Sequence, residues 1–184
     1  MRYKSATSLQ AAAAALFAVP FAVSQIITYQ GFSNTVSCQG SHFQCIDGGA
    51  VCCSLPTGFG YSMQFNNLPA GSQGQGYING GCSKFLFAVF GPGTKCWNGG
   101  GSSATHMNWF HSPQRSRRHA IDVVLEKTTN SAPMNCSVPT SFSYEGKNGI
   151  ERVIRVPTTV GAAQIIAGLF LANDHESLLL YDDY

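Results

Sequence analysis

The cysteines are the sequence feature that most constrains the fold of this chain of 184 residues. Six of the seven cysteines lie between positions 38 and 96, in a stretch rich in glycine, serine and aromatic residues. Disulfides are the default state of such cysteines in an oxidising compartment, and their spacing does not choose among the possible pairings. We therefore predict a fold stabilised by disulfides among Cys38, Cys45, Cys52, Cys53, Cys82 and Cys96.

Two of these cysteines, Cys52 and Cys53, are adjacent in the sequence. A disulfide between neighbours would strain the backbone, so each is expected to bond a different partner. A zinc site using His42 or His106 is the alternative, but the chain has no pair of C-x-x-C elements. No metal and no other cofactor is predicted.

Cys136 makes the number of cysteines odd, which predicts an unpaired thiol or a bond to another molecule. A buried, inert thiol is the alternative. The triplet Asn135-Cys136-Ser137 is also an acceptor for N-glycosylation in an exported protein. Glycosylation of Asn135 would require this turn to be exposed.

Residues 1–24 have the pattern of an export signal. Arg2 and Lys4 precede the apolar stretch Ala11–Val23, and Ala22-Val23-Ser24 is typical of a cleavage site. The apolar stretch contains Pro20 and is too short to span a bilayer as a helix. We expect a secreted, extracellular protein that is not bound to a membrane after the signal is removed.

The basic run at residues 115–118 divides a cysteine-rich region, 25–114, from a charged C-terminal region, 119–184. Arg115, Arg117 and Arg118 form an R-x-R-R pattern, which is typical of sites cut by kexin- and furin-type proteases. A solvated basic turn is the alternative. The C-terminal region has no disulfide framework of its own, so we expect it to pack against the cysteine-rich region in either case.

Short apolar runs separated by glycine-rich turns occupy the cysteine-rich region, which favours a small antiparallel β-sandwich or barrel. The C-terminal region predicts a strand, a hairpin and an amphipathic helix packed on the sheet. Asn173 followed by Glu176 suggests a capping box for a last short helix. The fold class is therefore mainly β with a small α part, or α+β. The predicted strands are Ala50–Leu55, Tyr61–Phe65, Gln75–Ile78, Phe85–Phe90, Lys95–Asn98, Thr105–Phe110, Ala120–Glu126, Ser141–Glu145 and Ile150–Val156, and the predicted helices are Thr159–Ala172 and Asp174–Tyr181.

Three motifs, Gly58–Pro69, Gly91–Gly100 and Asn108–His111, carry a resemblance to the small secreted cysteine-containing proteins of mushroom-forming fungi. The resemblance implies secretion and no established activity. A weaker similarity relates Asn98–Ser103 to the calcium-binding loop of crystallin-like and killer-toxin-like β-sandwich proteins. Gly99 stands where that loop has a second oxygen ligand, and calcium needs many oxygens, so no calcium site is predicted.

The chain has no sequence pattern of a catalytic site. The cysteine-rich region holds no glutamate and one aspartate, so general acids and bases are scarce, and no enzyme is predicted. After signal removal the net charge is close to zero, which gives no argument for a nucleic-acid partner.

We expect an interaction protein, such as an effector, inhibitor or toxin, that binds a partner protein. The alternative is a module that binds carbohydrate or cell wall, stacking sugars on Tyr61, Tyr77, Trp97 or Trp109.

Overall fold

The computed structural model describes residues 26–34, 37–46, 51–111 and 136–182. The predictions for the export signal, for the basic run at 115–118, for the strand Ala120–Glu126 and for glycosylation of Asn135 lie outside these residues. No helix among the described residues is long and apolar enough to cross a membrane.

The described strands form two sheets in which all strand neighbours run antiparallel. One sheet has six strands in the order β10-β9-β2-β1-β4-β7, and the other has four in the order β3-β8-β5-β6. This arrangement confirms the predicted disulfide-stabilised, mainly β fold. The strands are β1 (Thr28–Phe32), β2 (His42–Ile46), β3 (Cys53–Ser54), β4 (Ser62–Leu68), β5 (Ser72–Ile78), β6 (Lys84–Phe90), β7 (Gly93–Asn98), β8 (His106–His111), β9 (Ser141–Glu145) and β10 (Glu151–Arg155).

The central strands β1 and β2 of the larger sheet were not among the predicted strands. Their outer face carries a ladder of polar side chains, in which Gln30 donates a hydrogen bond to Gln44 at 2.9 Å and accepts one from Gln64 at 3.3 Å. Cross-strand pairs of this kind stabilise the sheet. Both strands alternate buried and half-buried residues, but each has only five residues, and Gly31 and Cys45 are among the buried ones. Short strands with small inward side chains give a weak apolar signal in the sequence.

Two short helices follow the sheets, α1 (Ala162–Leu171) and α2 (His175–Leu179). Both lie inside the predicted ranges, and Ile166, Ala167 and Leu178 are buried. The predicted cap of the second helix is wrong by one residue. Asp174 caps α2 by accepting a hydrogen bond from the Ser177 N–H at 3.2 Å, because Asn173 adopts a left-handed conformation with φ 57°.

The core lies between the larger sheet and a second layer made by the smaller sheet and the helices. Phe65 of β4 contacts Phe87 of β6, with ring centroids 6.4 Å apart, so the smaller sheet covers one part of the larger sheet. Phe142 of β9 contacts Phe170 of α1 at 5.3 Å, so the helices cover the other part. The C-terminal elements thus complete the same core.

Three disulfides join loops and sheets. Cys38–Cys96 links the β1–β2 loop to β7, Cys45–Cys53 links the two sheets, and Cys52–Cys82 links the residue before β3 to the β5–β6 turn. Cys52 and Cys53 therefore bond different partners, as the strain of a bond between neighbours requires.

Gly76 of β5 leaves room for the Phe87 ring, because a β-carbon at this position would overlap the ring edge. We expect Gly76→Ala to lower the free energy of unfolding by roughly 1–3 kcal/mol, the usual cost of overpacking a core. Chemical denaturation with the disulfides intact would measure this loss. The matched control is Gly80→Ala, since a β-carbon there would meet no atom within 4 Å. Equal losses in the two variants would contradict the packing argument.

Candidate interaction edge

Strand β6 forms one edge of the smaller sheet and has an unusual sequence for that position. Its residues read Lys-Phe-Leu-Phe-Ala-Val-Phe, with one charge and no proline. Edge strands are normally protected by charges, proline, bulges or short length, because their free N–H and C=O groups can pair with another chain. Apart from the charge of Lys84 and a bulge at Leu86, β6 has none of these protections.

Packing on its inner side holds β6 in place. Six of its residues pair with β5, with a bulge where the register shifts between Gly76 and Tyr77. Phe87 is buried, and its ring stacks on Trp97 of β7 with centroids 3.8 Å apart and planes 5° from parallel. The strand is therefore anchored by its core side chains and does not depend on a partner for its position.

The outer side of β6 has no strand neighbour among the described residues. Two exposed aromatic residues lie near the two ends of β6. Phe85 is 56% exposed and Phe90 is 62% exposed. Unpaired backbone groups between two exposed apolar side chains suit the addition of an extended strand from another chain. In the text below, this surface is called the β6 edge.

The other sheet edges are protected in ways that β6 is not. β10 carries Glu151, Arg152 and Arg155 in five residues, and β3 has only two residues. β7 is largely polar and is tied by Cys96 to the β1–β2 loop. Charge, short length and polar composition all disfavour pairing at these edges, so β6 stands out among them.

The described charges of the cysteine-rich region have one sign. Among the described residues from 26 to 111, the lysine, arginine, aspartate and glutamate side chains are limited to Lys84 and Lys95. Lys84 begins β6, and Lys95 lies in β7, the strand that follows it along the chain. Complementarity therefore favours a partner segment with acidic residues beside its apolar ones.

The structure separates the four aromatics that the sequence suggested for sugar stacking. Tyr77 and Trp109 are only 8% and 6% exposed, so their rings are not available to a glycan, and that prediction is wrong for these two residues. One face of Trp97 is covered by Phe87, and Tyr61 is half-buried. Burial raises the pKa of Tyr77, whose hydroxyl bonds Gln75 and Asn108 inside the fold.

The residues considered for metals are placed apart or used within the fold. The Asn98 side chain accepts a hydrogen bond from the Gly100 N–H at 2.9 Å, so its oxygen stabilises the turn after β7. His42 bonds Gln30 at 3.1 Å in the polar ladder of the larger sheet. His106 lies instead beside Cys52 and Cys136, a grouping across distant parts of the sequence that spacing did not reveal.

Fold and edge together define a disulfide-stabilised β-sandwich with one exposed apolar edge strand. Residues 28–145 match the ARB_05566_N N-terminal domain family, and the chain belongs to this family. The matched segment runs from the first residue of β1 to the last residue of β9, and therefore includes the β6 edge. No curated protein and no solved structure matches the chain.

Proposed function

We propose that this protein is a secreted, non-enzymatic interaction protein that binds an extended segment of a partner protein at the β6 edge. One observation carries the proposal. The strand β6 has seven residues, six of them apolar, and its outer side, away from β5, has no strand neighbour among the described residues. The export signal predicted for residues 1–24 and the three disulfides support an extracellular role.

Binding by strand addition uses backbone hydrogen bonds for affinity and side-chain contacts for specificity. A partner strand along β6 would place apolar side chains against Phe85 and Phe90, which are the exposed aromatics of this strand. Acidic residues at its ends would lie near Lys84 and Lys95. A second copy of this chain would bring the same lysines and gain no such attraction, so we favour a different protein.

A carbohydrate-binding role has less support. Stacking on a glycan needs exposed aromatic faces, and Tyr77 and Trp109 are buried. Phe85 and Phe90 are exposed, but they lack the polar groups that orient a sugar beside a ring.

Selection from a displayed library of random linear peptides would test the proposal. We expect enriched peptides that alternate apolar residues and carry acidic residues at their ends. Replacing Phe85→Glu together with Phe90→Glu should weaken their binding by on the order of tenfold or more, because the aromatic contacts are lost and the added carboxylates repel the acidic ends of the peptides. Titration calorimetry would measure the change.

The matched control is Val153→Glu on β10, an edge strand of the larger sheet, where Val153 is 63% exposed. This variant should bind the selected peptides as the unchanged protein does, and methylating alternate backbone nitrogens of a peptide should abolish its binding. Failure to enrich any peptide, or equal binding by both glutamate variants, would contradict the proposal. Retention on chitin, cellulose or β-glucan that the edge variant leaves unchanged would favour the carbohydrate role.

A further inference from the structure

Three sulfur atoms lie together between the start of β3 and the β5–β6 turn. Cys52, 1% exposed, is bonded to Cys82, and the Cys136 Sγ lies 2.8 Å from the Cys52 Sγ. A ring nitrogen of His106 lies within 4.8 Å of both the Cys52 and the Cys136 sulfur. The chain thus places a thiol and an imidazole against an existing disulfide.

Backbone hydrogen bonds fix this contact. The Ser137 N–H donates to the Cys52 carbonyl at 2.7 Å, and the Ser54 N–H donates to the Ser137 carbonyl at 3.0 Å. Ser137 also forms a parallel bridge with Cys53. Since the residue after Cys136 bonds the backbone on both sides of Cys53, beginning at Cys52, backbone pairing holds Cys136 next to Cys52.

We propose that Cys52, Cys82 and Cys136 form a thiol–disulfide exchange site, in which Cys82 and Cys136 alternate as the partner of Cys52. In the exchange, the Cys136 thiol gives up its proton and its sulfur bonds the Cys52 sulfur. The Cys52–Cys82 bond breaks, and its electron pair leaves on the Cys82 sulfur, which takes up a proton. One disulfide and one thiol are present before and after, so no oxidant or reductant is needed.

The surroundings of the site make exchange slow at neutral pH and faster as the pH rises. Burial raises the pKa of the Cys136 thiol, while a hydrogen bond with the Gly81 backbone opposes this shift, and the thiolate is the attacking species. Burial lowers the pKa of His106, so its neutral imidazole is favoured and it adds no positive charge that would stabilise the thiolate. Tyr77 packs in the same cluster, and its pKa is raised, so it adds no charge.

The exchange would change the cross-link in the turn that leads into β6. Cys82 lies two positions before Lys84 and has a left-handed backbone with φ 52°, which is unfavourable for a residue with a side chain. Transfer of the bond to Cys136 would release this residue from the cross-link and leave a thiol in the β5–β6 turn. The site therefore offers a thiol at two alternative positions, of which one adjoins the β6 edge.

Thiol trapping on the native protein tests the exchange. Samples would be held at pH 6 and pH 8.5, quenched with acid, alkylated with N-ethylmaleimide, digested with pepsin at acid pH and mapped by mass spectrometry without reduction. We expect label on both Cys136 and Cys82, with the share on Cys82 reaching its final value faster at pH 8.5. Label on Cys136 alone at both pH values and all times, together with a Cys82→Ser variant that forms no Cys52–Cys136 bond, would overturn the proposal.

Two variants keep the test decisive if one pairing dominates at equilibrium. Cys82→Ser and Cys136→Ser, each refolded with a mixture of oxidised and reduced glutathione, should both lack a reactive thiol, because the remaining cysteine bonds Cys52. The Cys38–Cys96 bond lies elsewhere in the fold and should remain unlabelled throughout, which serves as the internal control. A Cys82→Ser protein that folds but retains Cys52 and Cys136 as two reactive thiols would also overturn the proposal.

Discussion

Phe142→Ala is expected to lower the free energy of unfolding by about 4 kcal/mol, the usual cost of truncating a fully buried phenylalanine. Phe142 is 0% exposed in β9. Its ring lies 4.5 Å from that of Phe43, 5.7 Å from that of Phe59 and 5.3 Å from that of Phe170. Truncation leaves a cavity where the larger sheet meets α1, and rigid rings on several sides limit its collapse.

Denaturant unfolding followed by tryptophan fluorescence, with all disulfides intact, would measure this loss. Phe90→Ala is the control, because Phe90 is 62% exposed at the end of β6 and its removal should change the free energy of unfolding by about 0.5 kcal/mol or less. A similar small change for Phe142→Ala would show that the helices do not close the core at this position. The same experiment thus tests whether the C-terminal elements belong to one cooperative unit with the sheets.

Among the described residues, local sequence patterns best predicted the elements from residue 141 onward. Ser141–Glu145 is a strand with the predicted bounds, because Phe142 and Tyr144 alternate with serines and the glycine-containing turn after Glu145 is followed by the paired strand β10. The strands β1 and β2 were missed because they are short and because small residues, Gly31 and Cys45, lie among their inward positions. Local pattern therefore identifies strands with large alternating apolar side chains and overlooks short strands whose inward side chains are small.

The features of the candidate site depend on contacts between distant residues, which one sequence does not specify. The apolar run of β6 resembles a buried central strand, and only the sheet order shows that it lies at an edge. The burial of Trp109 likewise follows from its place in β8, between β3 and β5. The contact between Cys52 and Cys136 joins residues 84 positions apart. Composition predicted a disulfide-stabilised sandwich, but it did not distinguish edge strands from central strands of the sheets.

Removing the Cys38–Cys96 disulfide, by Cys38→Ala with Cys96→Ala, is expected to lower the free energy of unfolding by about 4 kcal/mol. The two cysteines are 58 positions apart, so the bond closes a long loop and strongly restricts the unfolded chain. In the folded state it ties the β1–β2 loop to β7. Hydrogen bonds also hold this loop, since Ser62 accepts from the Cys38 N–H at 3.2 Å and donates to the Asn34 carbonyl at 3.1 Å.

Comparison of the two single variants with the double variant separates the cross-link from side-chain packing. The bond requires both sulfurs, so Cys38→Ala, Cys96→Ala and the double variant should each lose about the same free energy of unfolding, measured in denaturant at one pH. Cys96 is exposed, and its side chain has little packing to lose. If the loss of unfolding free energy in the double variant equals the sum of the losses in the two single variants, packing around Cys38 stabilises the loop. Equal losses would show that the cross-link itself, acting on the unfolded chain, holds the long loop of this sandwich.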